Sequence, residues 1–541
     1  MSHFKTSEKN VLGRILDEKA EKNRDKTFLI FDDQEISYRK LNETVNRVAN
    51  GFLKMGVKKG DKVAIMMENC PEYIYTWFAL SKIGAIEAPL NVFHKGDLLQ
   101  YLIDYSDAKI LVLSETFAPQ VKEIENDLPK VEKVVIHPFQ SEQTFESFSL
   151  EPYQKLLDNP AASPQIPVKY NDLMAILFTS GTTGPSKGVM VTHNQMLFQG
   201  FMYVHISGCT PDDRMYHYLP LFHEAGQCGG TLAPLLADAT IVLRKGFSAT
   251  RFWDEIRKYK ATLTGGFEPI LRILYKMPRK PDDNKHSLRL FICGHVPPDI
   301  QEEFQKRFNV KLIDSYGLTE TDCVITTTYE DIKIGSCGKA HTKYFDVKLF
   351  DEDDNEVPIG KPGEIVVRPL IPYIIMDGYY KMPEKTLVAF RNLWFHTGDV
   401  AYKDAEGYYY FVDRKKDMVR RAGENISSKE VERIINSHPS VKECAVVGVP
   451  DEIVGEEVKV VVVLKEGKKL EPEELIKYCD EKMAYFMVPR YVEFSENRPK
   501  ELDGHKVIKE RLKKVTPETW DRKKAGIKLK RELEKEKQQK P

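Results

Sequence analysis

The chain lacks any pair of cysteines at metal or redox spacing. Its eight cysteines, Cys70, Cys209, Cys228, Cys293, Cys323, Cys337, Cys444 and Cys479, lie far apart, which argues against a disulfide framework and a zinc site and predicts free thiols. No apolar run approaches the ~20 residues of a membrane-spanning helix. The start, Met1-Ser2-His3-Phe4-Lys5, has no signal-peptide apolar core, so the expectation is a cytoplasmic protein. Neither sign of charge dominates: 80 Lys and Arg face 81 Asp and Glu, for a net charge of −1, which gives no bias toward nucleic acid or anionic membranes. No repeat of solenoid period is present.

What is present is an ordinary globular composition, 42% hydrophobic and 30% charged, in 541 residues, too many for one core. Helix and strand signals alternate through the first third. Thr27 to Phe31 reads as a strand, a helix follows Ser37, and Val63 to Met66, Pro71 to Ile83 and Ala85 to Leu90 read as strand, helix, strand. That alternation predicts α/β architecture, with mostly parallel sheets covered by helices. From about residue 343 short strands and turns predict a β subdomain. The charged run Asp413-Arg414-Lys415-Lys416-Asp417 then marks a boundary before a compact α+β unit. The expected organisation is a large domain over 1–413, a hinge over 414–417, a small mobile domain over 418–514 and a charged, solvated tail over 515–541.

The most informative stretch is Thr179-Ser180-Gly181-Thr182-Thr183-Gly184-Pro185-Ser186-Lys187-Gly188. Hydroxyl donors alternate with glycines that let backbone N–H groups approach an anion, and Lys187 adds a mobile cation. A Walker loop needs a Gly-Lys-Ser/Thr end followed by a helix. Here apolar strand residues stand on both sides, so the reading is a strand–loop–strand lid over phosphates.

Four further segments join it. Asp314-Ser315-Tyr316-Gly317-Leu318-Thr319-Glu320 combines an aromatic for a purine, a tight turn and a hard carboxylate suited to Mg²⁺. Trp394-Phe395-His396-Thr397-Gly398-Asp399 places a carboxylate in a turn, a device for ribose hydroxyls. Arg414 supplies a fixed cation inside the charged run, and Arg420-Arg421-Ala422-Gly423-Glu424-Asn425 lies beyond it.

Together these blocks resemble the adenylate-forming superfamily of acyl-CoA synthetases, luciferases and peptide-synthetase adenylation domains, over roughly residues 10–512. The resemblance implies a two-step reaction in which a carboxylic acid and ATP give acyl-adenylate and pyrophosphate, and coenzyme A then takes the acyl group. It implies that Thr179, Ser180, Gly181, Thr182, Thr183, Gly184 and Lys187 cover the β- and γ-phosphates. Thr319 falls at the α-phosphate position, and Glu320, with Thr179, at the Mg²⁺ position. Tyr316 matches the adenine-stacking residue. Gly294 matches the adenine-side loop, and Asp314 and Gly317 flank the nucleotide. Asp399 matches the ribose acceptor, with Arg414 nearby. His223, in Pro220-Leu221-Phe222-His223, matches the residue where acyl site meets coenzyme A tunnel. Lys416 matches the hinge of a rotating small domain, and Gly423 the turn which that domain brings to the tunnel. Partners are therefore a small-molecule carboxylic acid, ATP and coenzyme A, with no nucleic acid, for a monomer or homodimer.

The adenylation lysine of the family lies in a C-terminal Pro-x-Thr-x-x-Gly-Lys run, and here the chain reads Arg498-Pro499-Lys500-Glu501-Leu502-Asp503-Gly504-His505-Lys506. Counted forward, the slot holds His505; counted back from the end of the run, Lys506. Lys506 is preferred, because a permanent cation suits the α-phosphate transition state and His, with a reference pKa of ~6.5, is mostly neutral at pH 7. Glu268 near the acyl segment either meets a quaternary ammonium, turns out to solvent or pairs with an arginine such as Arg272. Within the superfamily the segments around Asp413-Arg414, Arg421 to Ser427 and Ala484 to Pro489 look most like crotonobetaine/carnitine-CoA ligases and short- to medium-chain relatives. The alternatives are an amino-acid- or aryl-acid-activating adenylation enzyme and a non-catalytic nucleotide binder.

Overall fold

The computed structural model describes residues 4–139, 144–179, 186–415, 417–421, 424–451, 454–496 and 509–530. Its contacts divide the chain into two compact units: Met1–Val347 with Val366–His396 and Asp404–Tyr410, and Lys348–Ile365 with Thr397–Lys403 and Phe411–Pro541.

The first unit is built on two large sheets. One has seven strands in the order Ser149–Pro152, Lys133–His137, Ile110–Ser114, Lys62–Met66, Ile86–Pro89, Leu173–Thr179, Lys187–Thr192, parallel except for the closing hairpin. The other has nine, running Lys339–Ala340, Asp322–Thr326, Lys311–Leu318, Leu290–Gly294, Leu263–Phe267, Arg214–His217, Thr240–Leu243, Thr27–Phe31, Gln34–Ser37. Parallel strands need crossover helices, and the sequence supplies them. Ser37 caps the helix Tyr38–Lys54 by accepting from the Lys40 N–H. The helix Pro71–Ile83 has proline in its first turn and ends at Gly84 in the left-handed region, at φ 69°. Every residue of that helix except Glu72 is buried, as its apolar circumference requires.

The strands expected after residue 343 are Phe345–Phe350, Gly363–Pro369, Phe395–Lys403 and Tyr409–Arg414, joined in one four-stranded sheet. In the second unit, Val441–Asp451 and Gly455–Leu464 form a long antiparallel pair, and the helices Ser428–Asn436 and Pro472–Lys482 contribute to the same core. Asp413, which the sequence places at the boundary, is 1% exposed. Its carboxylate accepts from the Arg414 N–H at 2.7 Å, the Ser428 hydroxyl at 2.8 Å and the Lys429 N–H at 3.2 Å, so it anchors the start of the helix beginning at Ser428.

One expectation is corrected. Residues 515–530 are not a solvated tail: Trp520–Asp521 adds a strand beside Tyr491–Phe494, Leu529 is 1% and Arg522 2% exposed, and the Asp521 carboxylate receives Arg490 at 3.2 Å. Three apolar side chains thinly spaced in a basic stretch suffice because the existing sheet edge supplies the missing partner surface. All eight cysteines are free and buried.

Candidate active site

Strand Leu173–Thr179 returns as Lys187–Thr192 with Thr179 opposite Lys187, so the expected strand–loop–strand geometry holds on both flanks. The loop residues Ser180, Gly181, Thr182, Thr183 and Gly184 lie outside the described residues. A second chain segment braces the return strand. Met190 donates its N–H to Gly378, Asp377 to Met190 and Tyr380 to Gly188, at 2.8 to 2.9 Å.

That segment delivers Tyr379 to the strand ends that flank the loop. The Lys187 ammonium sits 4.4 Å from the centre of the Tyr379 ring, and the Tyr379 hydroxyl donates to Glu320 Oε1 at 2.9 Å. Desolvation lowers the pKa of Lys187, opposed by the charge of Glu320. Lys187, Tyr379 and Glu320 thus form one cluster of cation, phenol and carboxylate, although they are distant in sequence.

Glu320 occupies the turn Thr319-Glu320-Thr321 between the paired strands Lys311–Leu318 and Asp322–Thr326. The turn is held from outside: Gln195 Nε2 donates to the Thr319 carbonyl at 3.2 Å and the Met376 N–H to the Glu320 carbonyl at 2.8 Å. Thr319 and Glu320 are half-buried. Gly317 is forced by close approach, since a Cβ there would stand 2.2 Å from the Asp322 carbonyl oxygen. Backbone cannot swing aside as a side chain can. Gly317→Ala is therefore expected to displace the turn and lower kcat/KM by about 10²-fold, the scale of a ~1 Å misplacement. Steady-state kinetics with a thermal melt checks this; full activity would show that the hairpin tolerates a shift.

Among the described residues no group of three or more His, Cys, Asp or Glu side chains could hold a metal. One hard carboxylate beside a hydroxyl suits Mg²⁺, which takes one or two carboxylates and draws further ligands from phosphate oxygens and water. Glu320 fits that donor set, and Thr179, half-buried at the strand end, offers the hydroxyl.

The residues expected on the nucleotide side are arranged by Asp314. Its carboxylate, 5% exposed, accepts from the Val296 N–H at 2.7 Å, which fixes the loop after Gly294, where His295 adopts φ 67°. Asp314 thus acts on the loop through its backbone. Tyr316 is 8% exposed. A Cβ on Gly294 would meet the Phe267 ring at 3.2 Å, and Phe267 in turn packs edge-to-face on His223 with centroids 6.0 Å apart. Solvent reaches His223, yet the protein around it lowers its pKa through desolvation. Its Nδ1 accepts from the Ala225 N–H at 3.1 Å, which leaves Nε2 to carry the proton of the neutral ring. Glu268 is paired with Arg272 (2.7 Å), which also grips Asp299 (2.9 Å). Of the readings of Glu268, the arginine pair is the one found.

A band of buried polar groups extends from His223. Glu224 begins a short helix, Glu224–Gln227, that runs into the π-helical segment Cys228–Leu232. Burial pushes the Glu224 carboxyl up to about 7. Asp322, 1% exposed, is raised well above the usual carboxylate range by burial and then by Glu224. Both acids bear on the Cys228 thiol and the Tyr203 phenol, whose pKa values rise, chiefly by burial.

Asp399 and Arg414 lie in the second unit. Asp399 is 4% exposed, and Arg414 Nε stands 3.5 Å from its Oδ1. Gly398, at φ 74°, donates to Glu364 at 3.1 Å, and the Lys415 N–H returns to the Gly398 carbonyl at 2.9 Å. Asp399 and Arg414, expected near each other, are thus neighbours. Lys416, Gly423, His505 and Lys506 lie outside the described residues.

Sequence reasoning did not find Tyr379, Gln195, Glu224 or Asp322. Gly378-Tyr379-Tyr380 carried a weak signal, a glycine beside two aromatics. For the others nothing in the local pattern marks them.

Residues 16–380 match the family described as AMP-binding enzyme, and residues 430–504 its C-terminal domain. A crotonobetaine/carnitine–CoA ligase of Salmonella typhimurium is 36% identical over 515 residues, covering 93% of this chain and 98% of that protein. Among solved structures, ATP-bound MatB from Rhodopseudomonas palustris superposes with a TM-score of 0.83 at 29% identity, over 93% of this chain and 98% of that one. The o-succinylbenzoate CoA synthetase MenE of Bacillus subtilis, in complex with its acyl-adenylate intermediate, gives 0.80 at 26% identity, again over 93% and 98%.

Proposed function

The chain belongs to the AMP-binding, adenylate-forming enzymes and is an ATP-dependent, AMP-forming acyl-CoA synthetase; from that premise we propose that its acid is small or medium in size and betaine-like, carrying a quaternary ammonium. The likeness to crotonobetaine/carnitine–CoA ligases over nearly the whole chain supports the substrate class. The cluster of Lys187, Tyr379 and Glu320 at the base of the lid is the single observation that carries the phosphate-side assignment.

In this reading the 179–187 lid covers the β- and γ-phosphates, and Thr319 contacts the α-phosphate. Glu320 and Thr179 hold Mg²⁺, which screens phosphate charge while the carboxylate attacks. Tyr316, Gly317 and the loop that Asp314 fixes at Gly294 receive the adenine. Asp399, beside Arg414, takes the ribose hydroxyls. His223 lines the junction of acyl site and coenzyme A tunnel, and Lys506 supplies the adenylation cation. The hinge lies at 414–417, centred on Lys416, and turns the domain beyond it so that Gly423 reaches the tunnel in the second half-reaction. The protein acts in the cytoplasm as a monomer or homodimer. No helix among the described residues is long and apolar enough to cross a membrane.

Release of AMP in the presence of coenzyme A, measured across a panel of carboxylic acids, tests the substrate class. Betaine-type acids are expected to give the highest kcat/KM, and equal rates with simple acids of the same size would remove that assignment.

A further inference from the structure

We infer that residues 515–530 are a positioning element for the second half-reaction. Through Lys523 and the buried Glu457 they hold Arg421, and with it the turn at Gly423 that meets coenzyme A. The inference rests on the proposed reading in which that turn reaches the tunnel, and it adds residues which that reading does not include.

All the groups involved lie in the second unit. Arg421 faces Glu424 across the paired strands Val419–Arg421 and Glu424–Ile426, with Gly423 between them in sequence. On its other side Arg421 pairs with Gly455, at the start of the strand Gly455–Leu464. Two residues further along that strand, Glu457 is 0% exposed. Each of its carboxylate oxygens has its own cation. Arg421 Nε donates to Oε2 at 2.6 Å, and Lys523 Nζ donates to Oε1 at 2.7 Å. Arg490 Nη1 stands 3.6 Å from Oε1.

Lys523 comes from a segment that is itself clamped. Asp521 pairs with Tyr491 at the sheet edge, and its carboxylate takes Nε and Nη2 of Arg490, each at 3.2 Å. The Lys523 N–H donates to the same carboxylate at 2.9 Å. The match to the C-terminal family ends at residue 504, so this clamp lies beyond the part of the chain that the family model covers.

An exposed ion pair contributes little, but here the acid is wholly buried and its cations come from three segments. Desolvation offsets much of the attraction in such a cluster, which is therefore weak ground for stability. What it supplies is geometry. Arg421 and Arg490 already compensate the charge of Glu457. Lys523, on the oxygen that Arg421 does not take, sets the orientation of the carboxylate and so the position of Arg421. Adenylation is assigned to other groups, Lys506, Thr319 and Glu320, so a slack turn slows only the transfer to coenzyme A.

The test uses the full-length protein and the acid ranked first in the carboxylic-acid panel. ATP–pyrophosphate exchange is measured apart from coenzyme A-dependent consumption of supplied acyl-adenylate. Lys523→Met, which removes the charge but little of the length, is expected to lower kcat/KM for coenzyme A by about 10-fold. That is less than the ~100-fold of a full ~1 Å misplacement, because Arg421 keeps its own bond to Glu457. Exchange stays at the wild-type rate, and Lys523→Arg keeps both steps. Asp521→Asn, which loosens the segment at Arg490, gives the same split and serves if a thermal melt shows that Lys523→Met does not fold.

Gly423→Leu tests the turn itself. If it slows the coenzyme A step alone while folded Lys523→Met and Asp521→Asn keep that step, this inference falls and the turn assignment stands. Equal losses in both half-reactions of the Lys523 and Asp521 variants show a structural role only and overturn it as well. If Gly423→Leu spares the coenzyme A step, or slows both steps alike, the turn assignment falls and the inference falls with it.

Discussion

Replacing Lys506 with alanine is expected to lower the rate of acyl-adenylate formation by about 10³-fold, at the upper end for removing one group that stabilises developing charge. The reason is electrostatic. The attacking carboxylate and the α-phosphate repel each other, and negative charge builds on the phosphate oxygens as the bond to pyrophosphate breaks. A lysine cation stays charged at neutral pH where a histidine largely does not, so His505→Ala is expected to cost far less. Thioester formation from supplied acyl-adenylate and coenzyme A should survive in Lys506→Ala, because no pyrophosphate leaves in that step. ATP–pyrophosphate exchange measured beside coenzyme A-dependent consumption of the adenylate separates the two half-reactions. Exchange lost only in His505→Ala would move the register by one residue.

The second large effect is expected for Glu320→Gln. The amide keeps an oxygen for the Tyr379 hydroxyl, now 2.9 Å away, so the change removes charge with little loss of shape. Adenylation should fall by about 10²- to 10³-fold, with a raised requirement for Mg²⁺, since a neutral oxygen is a poorer ligand for a hard cation. Lys187 is affected as well. Its pKa is already lowered by desolvation and held up by Glu320, so removing the carboxylate lowers it further and weakens the cation beside the loop. Tyr379→Phe, which deletes one hydrogen bond but no charge, should cost only about 10-fold. A titration of rate against free Mg²⁺ checks the assignment, and an unchanged Mg²⁺ dependence in Glu320→Gln would remove Glu320 from the metal site.

Much of the fold can be read from the chain because its signals are local. The apolar block Pro71 to Ile83 is the helix expected, bounded by the proline and glycine that stand at its ends. The apolar flanks of the Gly-rich run are its two strands. The stretch 515–530 shows the limit of such reading: its apolar content is too thin to predict a packed segment, and it packs because a strand edge elsewhere in the chain receives it. The same limit applies to Asp314. Sequence placed it near the nucleotide, but only the fold shows that it acts through the Val296 N–H.

By itself the sequence determined the α/β class, the order of the motifs and the type of chemistry, since glycines, hydroxyls, a lysine and a carboxylate in that order suit few tasks other than handling phosphates. Tertiary structure decided which groups meet. Lys187, Tyr379 and Glu320 come from three distant segments. Glu268, the acid that sequence placed beside the acyl segment, is occupied by Arg272, while Gln195, which no local pattern distinguishes, reaches the Thr319 carbonyl. Hydrophobic periodicity specifies which face of an element is buried. The partner of a buried charge is specified only by the packing of one segment against another.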